Sequence, residues 1–414
     1  MATRSCTPGE DGLPGFLRTY AHPEGLPVQS EEVTIGSDTF MKVTGEFWTS
    51  RQRQAGSIHE ISYRACFKPQ LPRFFIGLLT RKGDVVYDPF SGRGTTVIEA
   101  GLMGRNVIAN DANPLSRIIT EPRFFPPEIP AIEKRLLSIP REGGSSDIDL
   151  SMFYHPDTEQ EIVALREYLL GRKRIARDDM IDRWIAMVAT NRLTGHSKGF
   201  FSVYTLPPNQ AVSSRSQQKI NEKRGQAPEY RDTRRIILNK TKSLLRTLLP
   251  EEKKSLTRAG RQAMLLVEDA EKTREIPDEA VQLTVISPPF LDIVQYREDN
   301  WLRCWFNGLD GEAIGRRITL ARAVDEWTSA MGRVFDELFR ITRPGAHVAF
   351  EVGEVRKKTI RLEEHVVPLG TASGFSCECV LINQQVFTKT SNIWGVENNT
   401  CGTNTNRIVV FRKD

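Results

Sequence analysis

The feature that most constrains the fold is a glycine-rich turn between two short strands. Residues 84–88, Asp-Val-Val-Tyr-Asp, have the apolar centre of a buried strand, and the turn Pro-Phe-Ser-Gly-Arg-Gly follows at 89–94. Residues 95–103 then show a helical pattern, and a second apolar strand over 106–110 leads to Asp111. Strand, glycine-rich turn, helix and strand in this order form a βαβ unit. The sequence therefore predicts a doubly wound α/β sheet.

The glycine-rich turn has the chemistry of a nucleotide site. Gly92 and Gly94 let backbone amides approach a ligand that a Cβ atom would exclude. The turn is not the dinucleotide pattern G-x-G-x-x-G, because Val97 occupies the third glycine position, and it lacks the lysine of a P-loop. Asp111 follows the next strand, where a carboxylate can accept hydrogen bonds from ribose hydroxyls. These features favour a nucleotide-type cofactor over a tight turn without a ligand.

A second motif, Ser287-Pro-Pro-Phe290, follows the apolar strand pattern over 282–286. The two prolines stiffen the chain and remove backbone donors, so the carbonyls are fixed as acceptors beside a small hydroxyl and an aromatic ring. This arrangement suits a planar base that carries an exocyclic amine. Four residues recur by chance, and an ordinary Pro-Pro turn with a packed phenylalanine is the alternative.

Positive charge is concentrated in one part of the chain. The sequence has 57 Lys and Arg against 52 Asp and Glu, whereas residues 192–246 contain twelve and three of these, respectively. Lys and Arg recur at helical spacings over 215–224, and the alternative is a solvated basic helix. The imbalance predicts a local anionic partner. Upstream, Asp157 with Gln160 predicts a helix start of the capping-box type.

Several classes of protein are not indicated. The six cysteines and six histidines are dispersed without zinc-ligand spacing, so we predict no metal. The first sixteen residues lack an apolar signal-peptide core, and no run approaches the roughly 18 apolar residues of a membrane span. We therefore expect a cytoplasmic protein without a membrane partner.

Together the motifs resemble the amino-type DNA methyltransferases, which transfer a methyl group from S-adenosyl-L-methionine to an exocyclic nitrogen of cytosine or adenine. Residues 88–96, Asp-Pro-Phe-Ser-Gly-Arg-Gly-Thr-Thr, match the family's cofactor motif, and Asp111 matches its ribose-binding acid. Residues 267–270, Val-Glu-Asp-Ala, look like the strand-end acid at the adenine edge, here Asp269. Residues 287–290 match the catalytic motif [D/N/S]-P-P-[Y/F/W].

The chain departs from the family pattern at two points, and one of them is the catalytic aromatic, which is Phe290 where the family more commonly has Tyr. The family's H-P-Y-P-A-K-F motif is present only as residues 62–67, where Tyr63 and Phe67 align and Cys66 replaces the lysine. The cofactor contacts implied by the resemblance are Asp88, Pro89, Phe90, Gly92, Gly94, Thr95, Thr96, Asp111, Asn113, Asp269, Tyr63 and Phe67. The implied catalytic residues are Ser287, Pro288, Pro289 and Phe290, and the expected DNA contacts are Lys198, Asn209, Gln210, Arg215, Lys219, Lys223 and Arg224.

The order of the motifs implies a Rossmann-like methyltransferase sheet interrupted by a mostly helical target-recognition insert. We predict an N-terminal arm or short hairpin over 1–55, a cofactor half over 56–120, the basic insert over 121–260 and a catalytic half over 261–414. Serine at position 287 favours direct methyl transfer to N4 of a cytosine flipped out of double-stranded DNA, within a restriction–modification system. Adenine N6, an RNA base and a catalytically silent DNA-binding protein are alternatives. A small-molecule methyltransferase would leave the basic insert unexplained. A cognate restriction endonuclease is a possible partner. The sequence does not distinguish a monomer from a homodimer.

Overall fold

The computed structural model describes residues 12–20, 28–36, 38–48, 56–63, 67–144, 146–206, 211–289, 296–318, 323–352, 354–355, 360–385 and 404–414. Of the predicted site residues, Phe290, Asn209 and Gln210 lie outside these ranges. The strands are β1 (Gln29–Ile35), β2 (Asp38–Gly45), β3 (Val85–Asp88), β4 (Asn106–Asn110), β5 (Met264–Leu266), β6 (Val281–Ile286), β7 (Thr342–Val352), β8 (Glu354–Val355), β9 (Ile360–Arg361), β10 (Ser376–Gln385) and β11 (Asn404–Arg412).

The helices alternate with these strands and also fill the space between β4 and β5. They are α1 (Gly12–Thr19), α2 (Gln70–Leu79), α3 (Thr95–Leu102), α4 (Leu115–Thr120), α5 (Ile129–Ser138), α6 (Pro156–Arg174), α7 (Met180–Arg192), α8 (Ser214–Arg224), α9 (Thr233–Leu245), α10 (Pro250–Gln262), α11 (Tyr296–Phe306), α12 (Gly311–Arg317), α13 (Val324–Ile341) and α14 (Glu363–Ala372), with 3₁₀ turns at Ser57–His59 and Glu121–Phe124.

The central sheet has the strand order β1-β2-β10-β11-β7-β6-β3-β4-β5. The five neighbouring strands β7, β6, β3, β4 and β5 are mutually parallel. β11 is antiparallel to both of its neighbours, β10 and β7. From β3 the chain runs outward to β4 and β5, and it then returns to the other side of β3 with β6 and β7. The topological switch point therefore lies between β3 and β6, where doubly wound sheets bind ligands. The predicted doubly wound α/β architecture is confirmed.

Successive strand residues point to the two faces of the sheet, as the period of a strand requires. Val86 joins the core cluster that includes residues of α2 and α3, whereas the neighbouring Tyr87 joins the cluster on the side of α13. The apolar stripe of α13, Trp327, Met331, Val334, Phe335, Leu338 and Ile341, is buried against that second face. Helices cover both faces of the sheet, which explains why the sequences of the central strands are continuous runs of apolar residues.

The chain between β4 and β5 is mostly helical in its described part. Trp184 of α7 is fully buried, and its indole Nε1 donates to Thr241 Oγ1 of α9 at 3.1 Å. The helix predicted to start at Asp157 begins instead at Pro156, with His155 as the N-cap residue, whose Nδ1 accepts from the Asp157 backbone N–H at 3.3 Å. Proline is favoured at the first helical position, which moves the cap two residues towards the N-terminus.

The two ends of the chain meet in the sheet. β1 and β2 form an antiparallel hairpin, and β2 pairs in parallel with β10. β10 and β11 are antiparallel to each other. Within the described residues, none of the helices combines the length and the apolar character needed to span a bilayer.

Candidate functional site

The glycine-rich turn lies at the switch point, between β3 and α3. Gly92 and Gly94 have φ angles of +51° and +71°, in the left-handed region that favours glycine. A Cβ atom on Gly94 would lie 2.5 Å from both Cγ2 and Oγ1 of Thr120, so this position also lacks room for a side chain. The Ser91 N–H donates to the Asn110 carbonyl at 2.9 Å, which ties the turn to the end of β4. The predicted loop is therefore built as a tight backbone cradle.

Asp111 clamps this cradle from the end of β4. Its Oδ2 accepts from the Gly92 N–H at 2.8 Å, and its Oδ1 accepts from the Asn113 N–H at 2.8 Å. Burial raises the pKa of the Asp111 carboxyl to about 6, although both hydrogen bonds favour its ionised form. A carboxylate has about four lone-pair sites, so each oxygen can accept a further hydrogen bond. Asp111 can thus position the loop and still accept from a ligand hydroxyl.

Asp88 lies beneath the same loop, at the end of β3. Its Oδ1 accepts from the Phe90 N–H at 3.1 Å. Burial raises the pKa of Asp88 to about 7, the Thr96 side chain opposes the shift through a hydrogen bond, and the charge of Asp111 adds to it. Asp88, Pro89, Thr95 and Thr96 are buried, which gives these predicted cofactor residues a role in shaping the loop.

The segment that carries Tyr63 and Phe67 is held against the loop by an arginine that the sequence reasoning did not single out. Arg93 Nη1 and Nη2 donate to the carbonyls of Ile61 and Phe67 at 3.2 and 3.0 Å. Asn113 Nδ2 donates to the Tyr63 hydroxyl at 3.3 Å. Tyr63, Phe67 and Asn113 are therefore brought together beside the glycine-rich turn. The available signal was the position of Arg93 between the two motif glycines.

At the end of β5 the structure separates two neighbouring acids. Asp269 is exposed, and its Oδ1 accepts from the Glu271 N–H at 3.0 Å. The backbone of Glu268 is paired at both its N–H and its carbonyl with the Asn110 side chain, at 2.9 and 3.1 Å. Glu268 Oε2 is buried and has no hydrogen-bond partner among the described residues. The carboxylate directed into the protein here is Glu268, one residue before the predicted Asp269.

The second motif follows β6, the strand next to β3 across the switch point. Ser287 is partly buried and Pro288 is buried. The Pro289 carbonyl accepts from Trp327 Nε1 at 3.0 Å, which fixes the turn against α13. The structure therefore brings residues 287–289 next to the glycine-rich turn, while the predicted Phe290 lies outside the described residues.

A buried carboxyl group stands behind Ser287. β6 and β7 pair in parallel with Ile286 opposite Phe350, so the register places Ser287 beside Glu351. The carboxyl of Glu351 accepts from Asn406 Nδ2 at 2.5 Å and is also hydrogen-bonded by the Ser287 side chain. Burial raises the pKa of Glu351 to about 6, and both hydrogen bonds oppose the shift. The sequence gives no local signal for Glu351, because it reaches Ser287 only through strand pairing.

The predicted DNA contacts lie on the helical insert. Lys198 is exposed on the loop after α7, and Arg215, Lys219, Lys223 and Arg224 are exposed on α8. The positions 215, 219 and 223 recur every fourth residue and so share one side of this helix. The opposite side is anchored by the buried Gln217, whose Nε2 donates to the Tyr204 carbonyl at 3.0 Å. In the part of the chain described, no group of three or more His, Cys, Asp or Glu side chains could hold a metal ion.

Comparison with known proteins finds sequence similarity over the N-terminal part of the chain. Residues 22–119 match the sequence model of the N6/N4 DNA methylase family. The type II methyltransferase M.MjaII of Methanocaldococcus jannaschii is 33% identical over 91 residues, which cover 22% of this chain and 17% of that protein. The type II methyltransferase M.BsoBI of Geobacillus stearothermophilus is 42% identical over 108 residues, 25% of this chain and 20% of that protein. The chain thus spans a fifth or less of the length of these curated relatives.

Solved structures resemble the chain more weakly. TTHA0409 of Thermus thermophilus, complexed with S-adenosyl-L-methionine, is 21% identical, covers 35% of this chain and 51% of its own, and has a TM-score of 0.21. The rRNA methyltransferase AviRa of Streptomyces viridochromogenes is 12% identical, with 89% and 94% coverage and a TM-score of 0.31. The strand order of this chain, and not these likenesses, defines its fold. The match over residues 22–119 confirms the predicted resemblance to the amino-type DNA methyltransferases for this part of the chain.

Proposed function

We propose that this chain, whose residues 22–119 match the N6/N4 DNA methylase family, is an S-adenosylmethionine-dependent DNA methyltransferase that modifies N4 of a flipped cytosine. The observation that carries the proposal is the adjacency of two motifs across one switch point. The glycine-rich turn follows β3 and Ser287-Pro-Pro follows β6, and these strands pair directly, with Val86 opposite Leu283. A bound cofactor and a bound base would therefore meet at the same edge of the sheet.

The residues at the first motif fit the cofactor. Gly92 presents no Cβ atom, so a ligand can approach the turn's backbone closely there, whereas at Gly94 the missing Cβ makes room for Thr120. Asp111 has acceptor capacity left for the ribose hydroxyls, and the orphaned Glu268 Oε2 is a buried acceptor for an adenine amine. When bound, S-adenosylmethionine supplies an electrophilic methyl group. We assign the adenine edge to Glu268 together with the predicted Asp269.

The residues at the second motif orient an exocyclic amine. The Ser287 hydroxyl is a hydrogen-bond partner of the Glu351 carboxylate, and donation in that direction leaves its lone pairs free to accept from the amine. Of the two proline carbonyls, that of Pro289 already accepts a hydrogen bond from Trp327. We therefore assign the Pro288 carbonyl as the second acceptor for the amine. Two acceptors that take both amine protons leave the nitrogen lone pair aimed out of the base plane. Positioning of this kind lowers the barrier without a strong base or a covalent intermediate.

Glu351 has a second role in this proposal. Methylation makes the amine nitrogen cationic, and the product must lose a proton. The carboxylate of Glu351 can take that proton through the Ser287 hydroxyl, and its raised pKa of about 6 keeps it ionised yet basic near neutral pH. We therefore regard Glu351 as a positioning residue that acts through Ser287.

Cytosine N4 is the finer part of the proposal, and a role in restriction–modification goes with it. The support is the serine at position 287, since family members that act on adenine mostly carry Asp or Asn there. The double-stranded DNA partner is supported by the exposed cations of α8 and Lys198 on the insert. A flipped base would give the motif access to an amine that is paired within the duplex.

Identification of the methylated base tests the proposal. The full chain is incubated with unmethylated duplex DNA and isotopically labelled S-adenosylmethionine, and the digested nucleosides are separated by mass spectrometry. We expect labelled N4-methyldeoxycytidine, and a D111A preparation serves as the control for contaminating host activity. N6-methyldeoxyadenosine alone would overturn the base assignment, and 5-methyldeoxycytidine would overturn direct transfer. Labelling of RNA but not of DNA would overturn the choice of nucleic acid.

A further inference from the structure

A second candidate site lies in the insert, away from both motifs. A cavity of about 600 Å³ opens between the C-terminal end of α7, the loop that follows it and α9. Its charged lining is five cations and one acid: Arg192, Lys198, Arg231, Arg235, Lys240 and Glu229. We call this group the basic basin. Positive charge dominates this lining, and the cations come from two stretches of the chain, 192–198 and 231–240.

The basin contains one buried cation, Arg192, and a partly buried one, Lys240. Arg192 is only 8% exposed, and its guanidinium stacks over the Phe200 ring at 3.9 Å. Its hydrogen bonds within the described residues go to the neighbouring Asn191, and no carboxylate there forms an ion pair with it. Burial, together with the positive charge of Arg303, lowers the pKa of Arg192 to about 10. The protein therefore keeps this cation in place with little compensation.

Lys240, on the α9 side of the basin, is also a cation in an electrostatically unfavourable position. Burial lowers its pKa to about 8, and the positive charge of Arg192 contributes to the shift. Glu60 lies 3.8 Å from the ammonium and offsets it in part. Mutual repulsion between the buried Arg192 and the partly buried Lys240 is unfavourable in the free protein, and a bound anion would relieve it. The basin is thus prepared for a ligand of negative charge.

The surroundings of the basin favour an extended anion. Phe200 and Tyr204 belong to one loop, and Phe200 stacks under Arg192 while Tyr204 stacks under Arg224 of α8 at 3.8 Å. The basin and the exposed cations of α8 therefore flank the same loop. On the other side, Asn191 Nδ2 donates to the Ser62 carbonyl at 2.9 Å, next to Tyr63 of the cofactor half. A chain of phosphates could run from α8 across the loop to the basin.

We propose that the basic basin binds backbone phosphates of duplex DNA and so anchors the substrate on the insert. The inference rests on the proposed function, in which Lys198 already contacts DNA, and adds to it Arg192, Arg231, Arg235 and Lys240 as one phosphate site beyond α8. Phosphate contacts fix the register of a protein on DNA, and they make the affinity depend on salt.

The salt dependence of DNA binding tests the basin. The full chain carrying K198Q and R235Q, both at exposed positions of the basin, is compared with wild type by fluorescence anisotropy on a duplex over a range of KCl concentrations. The slope of log affinity against log salt is negative, and each lost phosphate contact reduces its magnitude by about 0.9. We therefore expect the magnitude of the slope to fall by about 1.8 in this double variant. The matched control is K242Q with K254Q, which removes the same charge from α9 and α10 outside the basin, and it should keep the wild-type slope.

Two further measurements separate the sources of phosphate and the two proposals. If K198Q/R235Q keeps the wild-type slope, or if the control loses as much, the basin inference is overturned. If K198Q/R235Q weakens binding of inorganic phosphate but leaves the DNA slope unchanged, the basin is a small-anion site and the inference is likewise overturned. If K198Q/R235Q shows the expected slope change but the wild-type chain methylates no DNA, the basin inference stands and the proposed function is overturned instead.

Discussion

The substitution G94A should damage the cofactor loop by two separable effects. The first is conformational, because alanine at a φ of +71° is in the left-handed region, at a cost of roughly 1–2 kcal/mol. The second is steric, because the new Cβ would lie 2.5 Å from two atoms of Thr120, and overpacking of this kind costs about 1–3 kcal/mol. We therefore expect a total destabilisation of about 2–5 kcal/mol.

The functional effect of G94A follows from the hydrogen bonds of the same loop. A shift that relieves the clash would move the Gly92 N–H away from Asp111, to which it donates at 2.8 Å. Loss of that bond should weaken cofactor binding by about 1–3 kcal/mol. Titration calorimetry with S-adenosylmethionine measures the loss, and thermal unfolding without the cofactor measures the destabilisation.

Two companion variants separate the conformational cost from the steric cost. Gly225 also has a left-handed φ, +57°, and among the described residues nothing lies within 4 Å of a Cβ built there, so G225A should show only the conformational cost. T120A removes both atoms at 2.5 Å, and the double variant G94A/T120A should therefore recover part of the stability lost in G94A. Equal destabilisation by G94A and G225A, together with no recovery in the double variant, would refute the steric argument.

Three other outcomes are expected. D111N should weaken S-adenosylmethionine by about 1–3 kcal/mol in calorimetry, because the amide presents one acceptor oxygen where the carboxylate presents two; unchanged affinity would remove Asp111 from the site. S287A and E351Q should slow single-turnover methyl transfer while cofactor affinity stays at the wild-type value. The wild-type rate should fall as the pH drops through about 6, the pKa of Glu351, and E351Q should lose this pH dependence. A retained pH profile in E351Q would exclude the proton relay through Ser287. Replacement of Lys219 and Lys223 by Gln should lower the salt slope of DNA binding by about 1.8, and an unaltered slope would place the DNA elsewhere.

The elements that could be predicted from the sequence are those whose signals are local. The strand, glycine-rich turn and helix over 85–102 follow from apolar periodicity and two glycines, and the structure has them where the pattern puts them. The order in which β3, β4, β5 and β6 occur along the chain then implies the switch point, because right-handed crossovers leave few other arrangements. Residues that follow strand ends, such as Asp111 and Ser287, were therefore identifiable before any contact was known.

The contacts that could not be predicted join residues distant in sequence or depend on register. Glu351 reaches Ser287 only because β6 and β7 pair with one particular register. Arg93 points back to a segment about thirty residues earlier, and nothing in its neighbours shows this. Glu268 and Asp269 are neighbours at the end of β5, but the Glu268 carboxylate is directed into the protein and Asp269 is exposed. The backbone conformation sets these directions, and the sequence motif does not show it. Glu268 was missed for that reason.

The buried carboxyls of the cofactor loop lead to a prediction about protons. Asp111 has a pKa raised to about 6 in the free protein, and hydrogen bonds from ribose hydroxyls would favour its ionised form. Binding should therefore lower this pKa, so that near pH 6 the fraction of Asp111 that is protonated releases its proton when S-adenosylmethionine binds. Calorimetry in buffers of different ionisation enthalpy counts these protons, and the release should decrease towards zero as the pH rises above about 8, where both Asp111 and Asp88 are already ionised. D111N should release fewer protons than wild type at pH 6. Proton uptake on binding, or equal release by D111N, would contradict a ribose contact at Asp111.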